Sequence, residues 1–178
     1  MLTRKLLNDA LAACGYSEVS SSLGTIIVNQ INDMTNNSNE VALFLAQVIH
    51  ESGGFVDREE WDKGAGQSYV PYYGRGFIQL THDYNYRAAS LAIFGDERLV
   101  ENPNMVFDDL ELSMRVSIWF WETIVRPKGG PRNNNFGLTT DAINGALEKP
   151  GSELARRRYK LYIDIARVFG IQNLAKEY

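Results

Sequence analysis

The stretch from Val41 to Ser52, closed by Gly53-Gly54, restricts the fold more than any other part of the chain. Apolar residues recur there at Val41, Phe44, Leu45, Val48 and Ile49, the spacing of one helix face, and the two glycines stop the helix. Ser38 or Asn39 is placed to cap its start. The same period returns at Leu6, Leu7, Ala10 and Leu11, at Leu23, Ile26, Ile27 and Ile31, and at Leu112, Val116, Trp119 and Phe120. Asp108 with Glu111 reads as a capping box for the last of these. Ser152 caps a closing amphipathic helix that carries Leu154, Tyr159, Tyr162, Ile163, Ala166 and Phe169 on or near its inner stripe. Residues 53–76, with six glycines, and the tract from Lys128 to Asn135 read as loops, with a small β-hairpin at most. At 178 residues, with no repeat or linker, the expectation is one mainly α domain over 1–178 with a loop-built cleft.

Composition removes several classes. An apolar share of 44% and a charged share of 22% exclude disorder, collagen and coiled coil. The longest apolar run, Val41 to Ala46, is far too short to cross a bilayer, so no membrane insertion is expected. Basic residues at the start have no apolar segment behind them, so no signal peptide is expected either. The lone Cys14 cannot form an internal disulfide and fits synthesis in a reducing cytoplasm. Residues 1–114 hold 7 basic against 16 acidic side chains, and 115–178 hold 11 against 6. A basic half can face an anionic partner, but two of Arg156, Arg157 and Arg158 are expected to form a solvated helix face. His50, His82 and one cysteine make no zinc set, and Gly54 stands where a metalloprotease helix needs its second histidine. No metal, cofactor or nucleic acid is expected.

Three segments carry chemistry. Glu51 follows Val48 by three and Phe44 by seven, so it ends the apolar stripe. Burial there raises a carboxyl pKa and makes a candidate general acid, although a capping or salt-bridged glutamate has the same pattern. Gly53-Gly54 beside it lets a bulky substrate approach the backbone. Asp57-Arg-Glu-Glu-Trp-Asp62 offers a second carboxylate nine residues on, and glycoside hydrolysis needs two; a charged loop is equally a solvated one. Tyr72 to Tyr86 mixes aromatics, which can stack on sugars, with Gly74 and Gly76 around Arg75; buried core tyrosines would read alike.

His50-Glu51-Ser52-Gly53-Gly54-Phe55, then Tyr73-Gly-Arg-Gly-Phe-Ile-Gln-Leu-Thr81 and Asn85-Tyr86, resembles glycoside hydrolase family 19. Ile118-Trp-Phe-Trp-Glu-Thr123, Ile143-Asn144-Gly145 and Arg158 with Tyr162 follow in the family's order, so the resemblance spans about residues 40–165. The family contains plant and bacterial chitinases and phage endolysins. It implies a lysozyme-like α+β fold and an inverting mechanism, with carboxyls about 6.5–9.5 Å apart to admit a water. Glu51 matches the general acid, Glu60 the general base with Glu59 as runner-up, and Thr81 the hydroxyl that holds the water. Tyr73, Arg75, Gln79, Asn85, Lys128, Asn144 and Arg158 match cleft positions, Arg75 as a group that orients a carboxylate, and His50 matches a support for the helix end. The plant disulfides and long loops are absent and Ala146 replaces a glycine, which implies fewer subsites.

The resulting expectation is a monomeric endolysin that cuts the β-1,4 bonds of bacterial peptidoglycan for host lysis. It is held in the host cytoplasm until release to the wall, and has no separate wall-binding domain. The alternatives are a chitinase acting on chitin oligomers and a non-catalytic glycan-binding module; the presence of Glu51, Glu60 and Thr81 argues against the latter.

Overall fold

The computed structural model describes residues 1–178. Its helices are α1 (Arg4–Ala13), α2 (Ser21–Met34), α3 (Ser38–Ser52), α4 (Asp83–Phe94), α5 (Arg98–Glu101), α6 (Met105–Asp108), α7 (Leu110–Phe120), α8 (Phe136–Asn144) and α9 (Glu153–Val168). There is no strand, only isolated bridges pairing Glu59 with Arg75, Arg75 with Leu80 and Asn135 with Lys176, within the expected limit of a small hairpin at most. The mainly helical expectation holds.

Helix α3 is buried from Glu40 to Ile49 without a break, because its sequence is apolar all round and not on one stripe alone. α9 packs along it, α1 against α9, and α2 against α7. A 26-residue apolar cluster surrounds α3. Phe44 meets Trp121 edge-on at 5.4 Å, and Trp121 Nε1 donates to Glu40 at 3.0 Å, so the buried carboxylate is satisfied. Trp121 reaches that position because α7 loosens into a π turn over Trp121–Val125 and then a 3-10 turn over Arg126–Lys128.

Three helix details differ from the sequence reading. Asn37, not Ser38 or Asn39, caps α3: its carboxamide oxygen accepts from Asn39 and Glu40 N–H at 2.9 and 3.2 Å. Asp109 caps α7 through Leu112 N–H at 3.1 Å, because Asp108 is consumed as the last residue of α6. The inner face of α9 is Arg158, Tyr162, Ile165 and Ala166, while Leu154 is 46% exposed. One arginine turned inward rotates the stripe away from the apolar count. Arg156 and Arg157 are exposed, as expected for two of the three.

Residues 53–82 are nearly all irregular, and Arg75 is their internal tie. Its guanidinium, 2% exposed, donates to Pro71 O, Tyr86 Oη and Asn104 Oδ1, each at 3.0 Å, and lies 3.7 Å above the Tyr73 ring. Behind this loop a second apolar cluster gathers Leu80, Tyr86, Ala89, Leu99, Val106, Leu112 and Val116.

Gly53 ends α3 in the left-handed region at φ 58°, and Gly54 follows at φ 77°. A Cβ on Gly54 would lie 2.7 Å from the ring of Tyr16. The glycine therefore admits an aromatic of the same chain, where the sequence suggested a substrate. Gly54→Ala is expected to lose more than about 1 kcal/mol in urea unfolding, from strain plus the clash. Gly66→Ala, at the same φ of 77° with nothing within 4 Å of its Cβ, should lose distinctly less.

Candidate active site

A groove of about 470 Å³ opens between the irregular loop on one side and α7 with α8 on the other. Glu51, Glu60, Gln79, Thr81, Asn85 and Asn144 line it, together with Tyr69, His82, Phe120 and Leu147. Two carboxylates 9 positions apart in sequence thus reach one cavity from different scaffolds. Glu51 hangs from the end of a rigid buried helix. Glu60 belongs to the loop.

Glu51 is held from beneath. Its carboxylate meets Arg158 Nη2 at 2.6 Å, and its side chain is 17% exposed. The same guanidinium grips Glu148, Nε to Oε2 at 2.6 Å and Nη2 to Oε1 at 2.8 Å, and its Nη1 donates to Gln47 Oε1 at 2.8 Å. Gln47 in turn donates to Thr139 and Thr140 at 2.8 and 3.0 Å, and Asn144 Nδ2 donates to Glu148 at 2.7 Å. One cation thus serves two acids, and it serves them unequally. Burial raises the Glu51 pKa, the charge and hydrogen bond of Arg158 pull it down, and Glu148 pushes it up again; the net direction is upward. For Glu148, burial also works upward, but the hydrogen bonds from Arg158 and Asn144 win, and its pKa falls. Two acids driven apart in this way suit opposite roles, Glu51 being the one that keeps its proton to the higher pH. His50 beside them is lowered to about 4 by burial and by Arg158, so it stays neutral and adds no charge.

Glu60 has the other character. Its Oε1 accepts from Tyr69 Oη at 2.9 Å and its Oε2 from Gly74 N–H at 3.1 Å, so two donors fix a carboxylate that faces the groove. Burial and this hydrogen bond push the Tyr69 hydroxyl up to about 12, which keeps it a donor. Glu59 turns away, to Tyr73 Oη at 3.4 Å and Lys63 at 3.9 Å. Thr81 Oγ1 donates to Gln79 O at 2.9 Å, which leaves its lone pairs for a groove donor, and Asn85 braces Thr81 O at 2.9 Å. Gln79 and His82, on either side, hold φ of 58° and 76°. Left-handed backbone at non-glycine residues costs about 1–3 kcal/mol each, and concentrates where a site imposes it.

Four residues anticipated in the cleft lie elsewhere. Tyr73 and Arg75 are buried beneath the loop, and Arg75 orients no carboxylate: its Nη1 and Nη2 donate to carbonyl, phenol and amide oxygens, and its buried Nε has no partner. Arg158, 1% exposed, lies under Glu51 and off the groove surface. Lys128 is exposed at the end of its turn and is not among the lining side chains. Glu148 and Gln47 were missed. Both had a signal: Gln47 stands one turn before Glu51 as the lone polar residue amid apolar ones, and Glu148 stands one turn after Asn144.

Comparison with known proteins shows similarity to chitinases. A family model described as chitinase class I matches residues 55–133. Chitinase 11 of Oryza sativa subsp. japonica is 35% identical over 177 residues, covering 81% of this chain and 68% of that protein. Acidic endochitinase SP2 of Beta vulgaris is 36% identical over 152 residues, covering 76% of this chain and 51% of its own length. The chain spans about half the length of the first relatives it matches. Among solved structures, chitinase C from Streptomyces griseus superposes with a TM-score of 0.69 at 29% identity, over 98% of this chain and 72% of that one. A bacterial family 19 chitinase gives 0.69 at 28% identity, over 98% and 90%.

The divided guanidinium has a direct readout. Carbon-detected titration should give Glu51 a midpoint above the ordinary glutamate value of 4.5. Glu148→Gln removes a neighbouring negative charge and frees Arg158 for Glu51 alone, so the Glu51 midpoint should fall. A rise would contradict the divided-cation account.

Proposed function

The chain belongs to glycoside hydrolase family 19, and from that premise we propose that its groove hydrolyses β-1,4 bonds of N-acetylglucosamine polymers, with chitin and its oligomers as substrate. The observation that carries the reading is the meeting of a buried acid with a raised pKa, Glu51, and a hydrogen-bonded carboxylate, Glu60, on one sugar-sized groove. The relatives' names support chitin over the peptidoglycan strands anticipated from the sequence.

In the proposed reaction, Glu51 gives its proton to the glycosidic oxygen as the bond to the anomeric carbon breaks. A water enters from the opposite face of the sugar, and Glu60 takes its proton as the new C–O bond forms. Thr81 Oγ1, held by Gln79 O, accepts the second hydrogen of that water and aims its lone pair. The enzyme ends with Glu51 ionised and Glu60 protonated, and proton exchange with solvent resets both. Attack opposite the departing group gives inversion. The Arg158 contact then serves late in the reaction, where it receives the Glu51 carboxylate as its charge develops.

Glu51→Gln should reduce hydrolysis of N-acetylglucosamine hexamer about 10²–10⁴-fold, and Glu60→Gln at least about tenfold, by product chromatography. If Glu59→Gln costs more than Glu60→Gln, the base is Glu59. A raised folded-state pKa at Glu51 contributes stability that is present below the unfolded value and lost as pH rises through the folded one. Glutamine mimics the protonated acid, so Glu51→Gln should unfold at no lower urea concentration than wild type at neutral pH. Activity itself should fall as pH rises through the Glu51 value. Proton NMR of the first product should show the α anomer. Turnover of purified peptidoglycan with none of chitin oligomers would move the substrate to the bacterial wall.

A further inference from the structure

Trp61 is 91% exposed, the most exposed large apolar side chain in the molecule. Nothing in the fold accounts for that. An indole left in water forgoes a large hydrophobic gain, and tryptophan is enriched at binding interfaces. The other two tryptophans behave differently: Trp121 is fully buried and Trp119 half-buried.

The backbone around Trp61 is fixed although its side chain is free. Glu60 N–H donates to Gly74 O at 2.7 Å, Gly76 N–H to Arg58 O at 2.8 Å, and Lys63 N–H to Glu60 O at 3.0 Å. Glu60, the immediately preceding residue, has its carboxylate on the groove. Leu147 is 80% exposed and lines the same groove from the far end of α8. An indole next in sequence to a groove carboxylate, on a loop held by these bonds, costs less to order on binding than a side chain on a mobile loop.

We propose that Trp61 is a glycan-stacking platform on the rim of the groove. It takes the apolar face of an N-acetylglucosamine unit lying outside the pair of sugars at the cleaved bond. The proposal rests on the hydrolase reading given above and adds a length preference to it. Trp61 acts on binding of long chains and takes no part in proton transfer. The platform is a planar apolar surface presented to water, and a pyranose offers a matching face of C–H groups whose burial there removes both from solvent.

The test is a comparison of Trp61→Ala, Trp61→Phe and Leu154→Ala with wild type on N-acetylglucosamine tetramer and hexamer. Leu154 is 46% exposed on α9 and serves as an exposed apolar control. Trp61→Ala should raise KM for hexamer about tenfold, with a smaller rise for tetramer. Phenylalanine should recover part of that loss, and Leu154→Ala should match wild type. Independently, hexamer added to Glu51→Gln should blue-shift the tryptophan emission, and Glu51→Gln with Trp61→Phe should not shift. An unchanged hexamer KM in an active Trp61→Ala enzyme, or a shift that survives Trp61→Phe, overturns the platform and leaves the hydrolase reading standing. Failure of the wild type to cleave either oligomer overturns the hydrolase reading and the platform with it.

Discussion

The site depends on one guanidinium buried among two carboxylates. Arg158 stands on α9, Glu51 and Gln47 on α3, and Glu148 just beyond α8, so a single side chain joins three elements under the groove. A buried cation without partners would be strongly destabilising, and the three acceptors oblige these elements to meet at one point. The same constraint sets the chemistry. Because the arginine's fork is engaged mainly with Glu148, Glu51 stays close to a positive charge while its pKa still moves upward. Replacing Arg158 by lysine would keep the charge and lose the fork that divides it.

Much of this was legible in the sequence, in proportion to how local the determining physics is. Helical period located α1, α2, α3, α7 and α9, and Gly53 stopped α3 as expected, but α4, which gives Tyr86 and Ala89 to the smaller cluster, was not singled out. Caps were misplaced by one residue at Asn37 and Asp109, because several adjacent residues could supply the same oxygen and backbone geometry chooses among them. The inner stripe of α9 was misread because an arginine was counted as polar, although its partners lie about a hundred residues away on α3 and ten away at Glu148.

The candidate site divides along the same line. Glu51, Glu60, Gln79, Thr81, Asn85 and Asn144 converge as the motifs implied. Tyr73, Arg75 and Arg158 belong to the motifs equally, but they hold the wall from inside. A motif marks what a family needs and does not distinguish a side chain that touches the cavity from one that shapes it. Only packing separates the two, as in the layering of Arg75 over Tyr73.

The two carboxylates also stand on unlike supports, a buried helix for Glu51 and a hydrogen-bonded loop for Glu60. Glu51 ends a helix of the large cluster around α3, whereas Thr81 and Asn85 flank Leu80 and Tyr86 of the smaller one. Phe120 packs against both clusters and forms part of the groove itself. The gap between donor and acceptor is therefore like the opening of a calliper, with a buried helix as one jaw and a loop pinned by hydrogen bonds as the other. A shift of that loop against α3 would alter the opening while Arg158 still met Glu51 and Tyr69 still met Glu60.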